Sequence, residues 1–185
     1  MPRELFPKYI IISGSGKKVG KTYMATALIR FFSLKFPVLA LKISPHVHDS
    51  LGDTMLRATS EGIRIFQDLA PHEKNSGQFL QAGALESFFM ETEDEQLEAA
   101  FNLFNRECNP MNHPVICESG ALSRLIKPGI SIFITRATDD LHTGKVTTLQ
   151  QSDLVIPAKS FSTAGIIHRI SYLASGWQIN NGKIQ

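Results

Sequence analysis

The stretch Tyr9-Ile10-Ile11-Ile12-Ser13-Gly14-Ser15-Gly16-Lys17-Lys18-Val19-Gly20-Lys21-Thr22 constrains this chain more than any other. A β-branched run stops at a glycine-rich loop, and the loop ends in Gly-Lys-Thr where an amphipathic segment begins. Strand, loop and helix in that order point consecutive backbone N–H groups at one spot, where the helix dipole also favours negative charge. Gly14, Gly16 and Gly20 let the backbone wrap closely around anionic oxygens. Lys21 is placed to reach outer phosphates, and the Thr22 hydroxyl to ligate Mg²⁺.

The order fits the phosphate-binding P-loop (Walker A) pattern G-x-x-x-x-G-K-[ST], with one departure. The pattern's first glycine falls at Ser15, which has a glycine on either side. The bland alternative is a Gly/Ser/Lys-rich turn before a helix. The expected nucleotide-binding set is Gly14, Ser15, Gly16, Lys17, Lys18, Val19, Gly20, Lys21, Thr22 and Tyr23.

The 185 residues fit a single domain, 1–185. Apolar residues at 43% and charged residues at 19% describe an ordinary globular composition. A net charge of +2 gives no electrostatic argument for a nucleic-acid partner. Cys108 and Cys117 lie in no metal-ligand spacing, so reduced thiols in a cytoplasmic protein are expected. No signal peptide is expected at the N-terminus, and no run of about 18 apolar residues implies a membrane span.

Periodicity predicts strands alternating with helices. Strands are expected over 8–13, 38–43, 84–90, 115–118, 130–135 and 154–156. Helices are expected over 21–35, with Met24, Ala27, Leu28, Phe31 and Phe32 inward, and over 143–151 and 162–174. Thr92 and Glu95 read as a capping box for a helix whose apolar stripe is Leu97, Ala100, Phe101 and Phe104. Residues 44–80 are polar and weakly patterned, with a short strand at 63–66. The fold class is therefore α/β, a mostly parallel sheet flanked by helices, of the P-loop nucleoside triphosphate hydrolase kind. In such a sheet ligands bind at the carboxyl ends of the strands, along which the loop and the residues after Ile43 and Cys117 should lie.

Three further positions carry chemistry. Glu118 ends an apolar run, where a carboxylate holds Mg²⁺ through water or simply faces solvent. Lys42, near the end of an apolar strand, must snorkel outward or find an anion. His46-Val47-His48-Asp49 follows, and Asp49 suits a second acidic group near Mg²⁺ better than the His pair suits a transition metal. The candidate catalytic residues are Lys21 and Lys42, and the candidate metal ligands are Thr22, Asp49 and Glu118.

With these residues in place, the chain resembles the P-loop proteins that make cofactors. The likeness is to the MobB-type adaptor of molybdopterin-guanine dinucleotide biosynthesis. It rests on the loop, on Lys42 with its His/Asp segment, on Lys74-Asn75-Ser76-Gly77, on Ala82-Gly83-Ala84 and on Glu118. The loop also resembles that of dethiobiotin synthetase, including the non-glycine at Ser15. The first resemblance implies a weak GTPase assisting a cofactor-biosynthesis partner protein, and the second an ATP-dependent ligase with Lys42 on a carboxylated substrate. A nucleotide-binding regulatory module without turnover is the third reading. All imply Mg²⁺ with GTP or ATP, and the two families imply a homodimer. The chain carries no Asn-Lys-x-Asp guanine-reading motif.

Overall fold

The computed structural model describes residues 3–45, 53–73, 76–136, 138–139, 141–158 and 162–180. The first strand, β1 (Glu4–Gly14), feeds helix α1 (Lys21–Phe32), which returns to β2 (Leu39–Ser44). β3 (Thr54–Ser60) and β4 (Ile63–Asp68) form a hairpin, followed by α2 (Gly77–Gln81), β5 (Glu86–Glu91) and α3 (Leu97–Cys108). Then come β6 (Val115–Glu118), α4 (Leu122–Leu125), β7 (Ile126–Thr135), α5 (Thr143–Gln150), β8 (Leu154–Pro157) and α6 (Thr163–Ile167). The hairpin β9 (Ile170–Leu173) and β10 (Gly176–Ile179) closes the described chain.

One eight-stranded sheet runs β3-β4-β5-β2-β6-β1-β7-β8. Pairing is parallel from β5 through β8, and antiparallel within the β3–β4 hairpin and where β4 joins β5. The sheet is buried on both faces because its central strands are continuous apolar runs. Ile10 and Ile12 pack with α1 residues Met24, Ala25, Leu28, Ile29 and Phe32 on one face. Tyr9 and Ile11 pack with Leu97, Ala100, Phe101 and Phe104 of α3 on the other.

The α/β architecture, mostly parallel and flanked by helices, agrees with the sequence. Several local expectations need correction. The buried stripe of α1 includes Ala25 and Ile29, and Phe31 is exposed. Thr92 and Glu95 do not form a capping box. A 3₁₀ turn, Asp94–Gln96, precedes α3, and the Thr92 hydroxyl donates to the Glu93 carbonyl at 3.3 Å. The polar 44–80 region holds a full strand, β3, besides β4. The expected helix over 162–174 stops at Ile167, and β9 and β10 follow. Gly176 turns that hairpin at φ 111°, and Trp177 is drawn into the core against Phe32, its indole N–H donating to the Lys8 carbonyl at 2.7 Å. These tertiary contacts outweigh a helical-looking apolar spacing.

Candidate functional site

Parallel pairing aligns three strand tips. Ile12 of β1 and Lys42 of β2 both stand opposite Glu118 of β6, so the 14–22 loop, Lys42 and Glu118 meet on the carboxyl edge of the sheet. The Thr22 hydroxyl, in the first turn of α1, donates to Glu118 Oε2 at 2.7 Å. Lys42 Nζ lies 3.6 Å from the same oxygen. Glu118 is buried, and the chain turns away behind it because Ser119 Oγ accepts from the N–H groups of Ala121 and Leu122.

The loop itself is built tightly at its start. A Cβ on Gly14 would lie 2.7 Å from the Ile134 carbonyl oxygen and 2.8 Å from Val19 Cγ2. The Ser15 N–H continues the pairing with β7 by donating to Ile134 at 2.9 Å. Val19 is buried beneath the loop, whereas Lys17 and Lys18 are exposed. Lys18 and Gly20 adopt left-handed backbone at φ 58° and 107°, which reverses the chain into α1.

The carbonyls of this loop are claimed by cations. Lys21 Nζ donates to the Gly16 carbonyl at 2.6 Å, and Lys145 Nζ donates to that of Ser15. Arg136 Nη2 donates to the carbonyls of Lys17 and Lys18, both at 2.9 Å. The amides behave oppositely. Among the described residues, no hydrogen bond of regular geometry runs from the backbone N–H of residues 16–22 to a protein acceptor, although a turn at Lys17 and Lys18 brings the Val19 amide toward the Gly16 carbonyl. A loop whose amides lack regular protein acceptors and which ends at a helix N-terminus is the kind of backbone that can take an anion.

Burial is the main cause that lowers the Lys21 pKa below the ordinary lysine value. Lys145, Lys42 and Arg136 push it further down, and Glu118 opposes them. Lys42, Arg136 and Lys145 thus lie within electrostatic range of Lys21, as does the Glu118 carboxylate, and Asp139 accepts from Ser15 in the same loop. Such a cluster holds more positive than negative charge and favours a multiply charged anion.

Thr22 Oγ1 and Glu118 Oε2 are hard oxygen donors converging on one point, the ligand type Mg²⁺ takes. The residues therefore fit the ion. Among the described residues no group of three or more His, Cys, Asp or Glu side chains forms a metal cluster. Asp49, His46 and His48 lie outside the described residues, as do Lys74 and Asn75. Tyr23 projects from the exposed side of α1, 62% accessible. Cys117 is buried, and burial raises its thiol pKa well above the ordinary value. Cys108 is raised to about 11, also mainly by burial, so neither is a reactive thiolate.

The sequence brought together Lys21, Thr22, Lys42 and Glu118. Arg136, Asp139 and Lys145 had no motif to announce them, because they approach the loop from 118 to 130 residues downstream. A cavity of about 160 Å³ opens beside Glu118, lined by Ile43, Ser119, Gly120, Ala121, Arg124 and Lys145 among others. Another of about 380 Å³ lies between the β3–β4 turn and the tip of β5, where Arg64 pairs with Glu91 at 2.5 Å. Among the described residues no helix is long and apolar enough to cross a membrane. Comparison with known proteins finds no matching family model, no similar curated protein and no similar solved structure.

Proposed function

We propose that this chain is a P-loop protein that binds a Mg²⁺–nucleoside triphosphate, ATP or GTP, on its 14–22 loop and turns it over weakly in support of cofactor assembly. The observation that carries the reading is the run of amides over 16–22, without regular protein acceptors, at the head of α1. The cations around it supply the charge that a polyphosphate needs.

In this reading the loop amides and Lys21 bind the phosphate oxygens, which requires the Lys21 ammonium to leave the Gly16 carbonyl. Thr22 and Glu118 would hold Mg²⁺, which supplies neutralisation of the phosphate charge when bound. Lys42, 3.6 Å from Glu118, offsets the charge of that carboxylate. Glu118 and Asp139 each accept from a hydroxyl, and no residue is assigned as general base in this reading. The cofactor-assembly setting, the partner protein, and a cytoplasmic homodimer rest on the MobB-type resemblance. The cavity past Glu118, lined by Ile43 and Ser119, favours a second reading, a ligase like dethiobiotin synthetase that takes a small carboxylated substrate, with Lys42 one residue away along β2.

Thermal melting against a nucleotide panel tests the reading. At a ligand concentration about 100-fold above Kd, binding adds about 2.7 kcal/mol, or a rise in Tm of about 5–10 °C. Lys21→Ala should remove the shift. No shift with any Mg²⁺–nucleotide overturns the reading. Guanine preference supports the adaptor, and adenine preference with turnover only on adding a carboxylated substrate supports the ligase. Binding without turnover under either condition supports the regulatory module.

A further inference from the structure

The 14–22 loop has two faces. Its amide face lacks regular protein acceptors, and its carbonyl face is covered by side chains from the segment joining β7 to the first turn of α5. Lys145 donates to the Ser15 carbonyl, and Arg136 donates to the carbonyls of both Lys17 and Lys18. The Ser15 hydroxyl donates to Asp139 Oδ2 and accepts from the Arg136 backbone N–H at 3.2 Å. Asp139 in turn lies 3.9 Å from the Arg136 guanidinium, which turns the set into a closed network.

Peptide geometry gives this network a consequence. A peptide unit is planar and trans, so its C=O and N–H point in opposite directions. Holding the carbonyls of residues 15, 17 and 18 outward therefore aims the N–H groups of residues 16, 18 and 19 inward. The loop does not hold that arrangement cheaply by itself. Lys18 is a non-glycine residue at φ 58°, and the neighbouring glycines have many other conformations open to them.

We propose that Arg136, Lys145 and Asp139 are positioning residues, a clamp from the β7–α5 connector that keeps the amide face of the loop set for an oxyanion. The clamp itself stands on the hydrogen-bond geometry. That the oxyanion is a polyphosphate rests on the function proposed above. Ser15 acquires a purpose in this arrangement: a glycine at that position would have no hydroxyl for Asp139 to hold.

Limited trypsin digestion of the full chain tests the clamp, because Lys17 and Lys18 are exposed cleavage points within the loop. Arg136→Ala should quicken cleavage after Lys17 or Lys18 about tenfold, the effect of losing a charge-assisted hydrogen bond. Cleavage after Lys35 and Arg106, both exposed and neither followed by proline, should keep its wild-type rate, which also reports that the variant is folded. Arg136→Lys should fall between, since an ammonium lacks the guanidinium's reach across two carbonyls. Asp139→Asn gives a second variant with a milder change. The same proteins are titrated calorimetrically with Mg²⁺–pyrophosphate. Arg136→Ala should bind about tenfold more weakly, with partial rescue by millimolar guanidinium. Unchanged cleavage at Lys17 and Lys18 in both Arg136→Ala and Asp139→Asn overturns the clamp, even if binding is lost, and puts Arg136 on the ligand instead. Faster cleavage with unchanged pyrophosphate affinity overturns its role in setting the amides. Faster cleavage in a protein whose wild type binds neither pyrophosphate nor nucleotide leaves the clamp standing and defeats the phosphate reading alone.

Discussion

Every residue of β6 is buried, whereas none of β3 is. β6 has a hydrogen-bonded strand on each side, β1 and β2, and helices over both faces of the sheet. β3 is an edge strand, paired only with β4, and Met55 and Leu56 stand exposed on it. Displacing the tip of β6 means opening the core, so Glu118 inherits a fixed position. β3 can shift at less expense, whereas β4 is held to the core by Ile63 and Ile65, so the neighbouring cavity has one softer wall. The candidate anion site is thus built on the stiff centre of the sheet, and the edge strand β3 is where shape can change without disturbing it.

The largest effect should come from truncating the stiff centre. Ile116→Ala removes a fully buried side chain from β6 and is expected to destabilise the fold by about 4 kcal/mol in urea unfolding. The matching truncation in the hairpin, Leu56→Ala, should stay within about 0.5 kcal/mol, because Leu56 is 51% exposed. A comparable loss at Leu56 would break the contrast and make β3 part of the core, as β4 is through Ile63 and Ile65.

The loop contains the same contrast on a smaller scale. Gly14→Val would drive a branched side chain into the Ile134 carbonyl and Val19, for a loss of about 3 kcal/mol and of nucleotide binding. A Cβ on Gly16 meets only Asp139 Oδ2, at 3.7 Å. Gly16→Ala should therefore cost less than about 1 kcal/mol in stability. Its methyl would still crowd the approach to the loop, so nucleotide binding should weaken where folding does not. Chemical unfolding and nucleotide titration of the two variants separate the effects. Equal stability losses would show that the loop is packed evenly along its length.

The contrast also governs what could be read from the sequence. Ile10-Ile11-Ile12 and Val115-Ile116-Cys117 are buried on both faces, so their apolar runs announce strands without any partner being known. The meeting of Lys21, Thr22, Lys42 and Glu118 followed from placing motif residues at the ends of parallel strands. β3 was not legible, because an exposed edge strand buries nothing and so leaves no alternation in Met55-Leu56-Arg57-Ala58. The stretch 162–174 carries helical spacing, but after Ile167 Gly176 and the docking of Trp177 decide its form, and neither lies within it. Arg136 and Lys145 were invisible for the same reason: their carbonyl partners are more than a hundred residues away.

Glu118→Gln should give a smaller effect, about 1 kcal/mol. The amide oxygen keeps an acceptor for Thr22, and only the charge opposite Lys42 is lost. The part of the nucleotide-induced Tm shift that depends on Mg²⁺ should disappear. A Mg²⁺ dependence equal to wild type would remove Glu118 from the ion's holding set and leave it a strand-tip partner for Lys42.

The smallest effect should have the opposite sign. Burial, helped by the neighbouring cations, holds the Lys21 pKa below the ordinary lysine value, so the charged ammonium opposes folding. For a base lowered in the fold, this penalty is complete below the folded pKa. It fades as pH rises from that value to the ordinary one, because the unfolded chain then binds more protons than the native one. Lys21→Met should therefore stabilise the protein at pH 7, by less than about 1 kcal/mol once solvent screening is allowed for, and the gain should shrink as the pH is raised toward the ordinary lysine value. Nucleotide affinity of the wild type should fall over the same alkaline range as the ammonium is lost. Urea unfolding of both proteins at neutral and alkaline pH checks the sign. A destabilised Lys21→Met at pH 7 would mean that the bond from Lys21 to the Gly16 carbonyl outweighs the burial of its charge, making Lys21 a structural brace of the loop. A stabilised variant that no longer binds nucleotide would instead mark Lys21 as a residue kept at the expense of the fold.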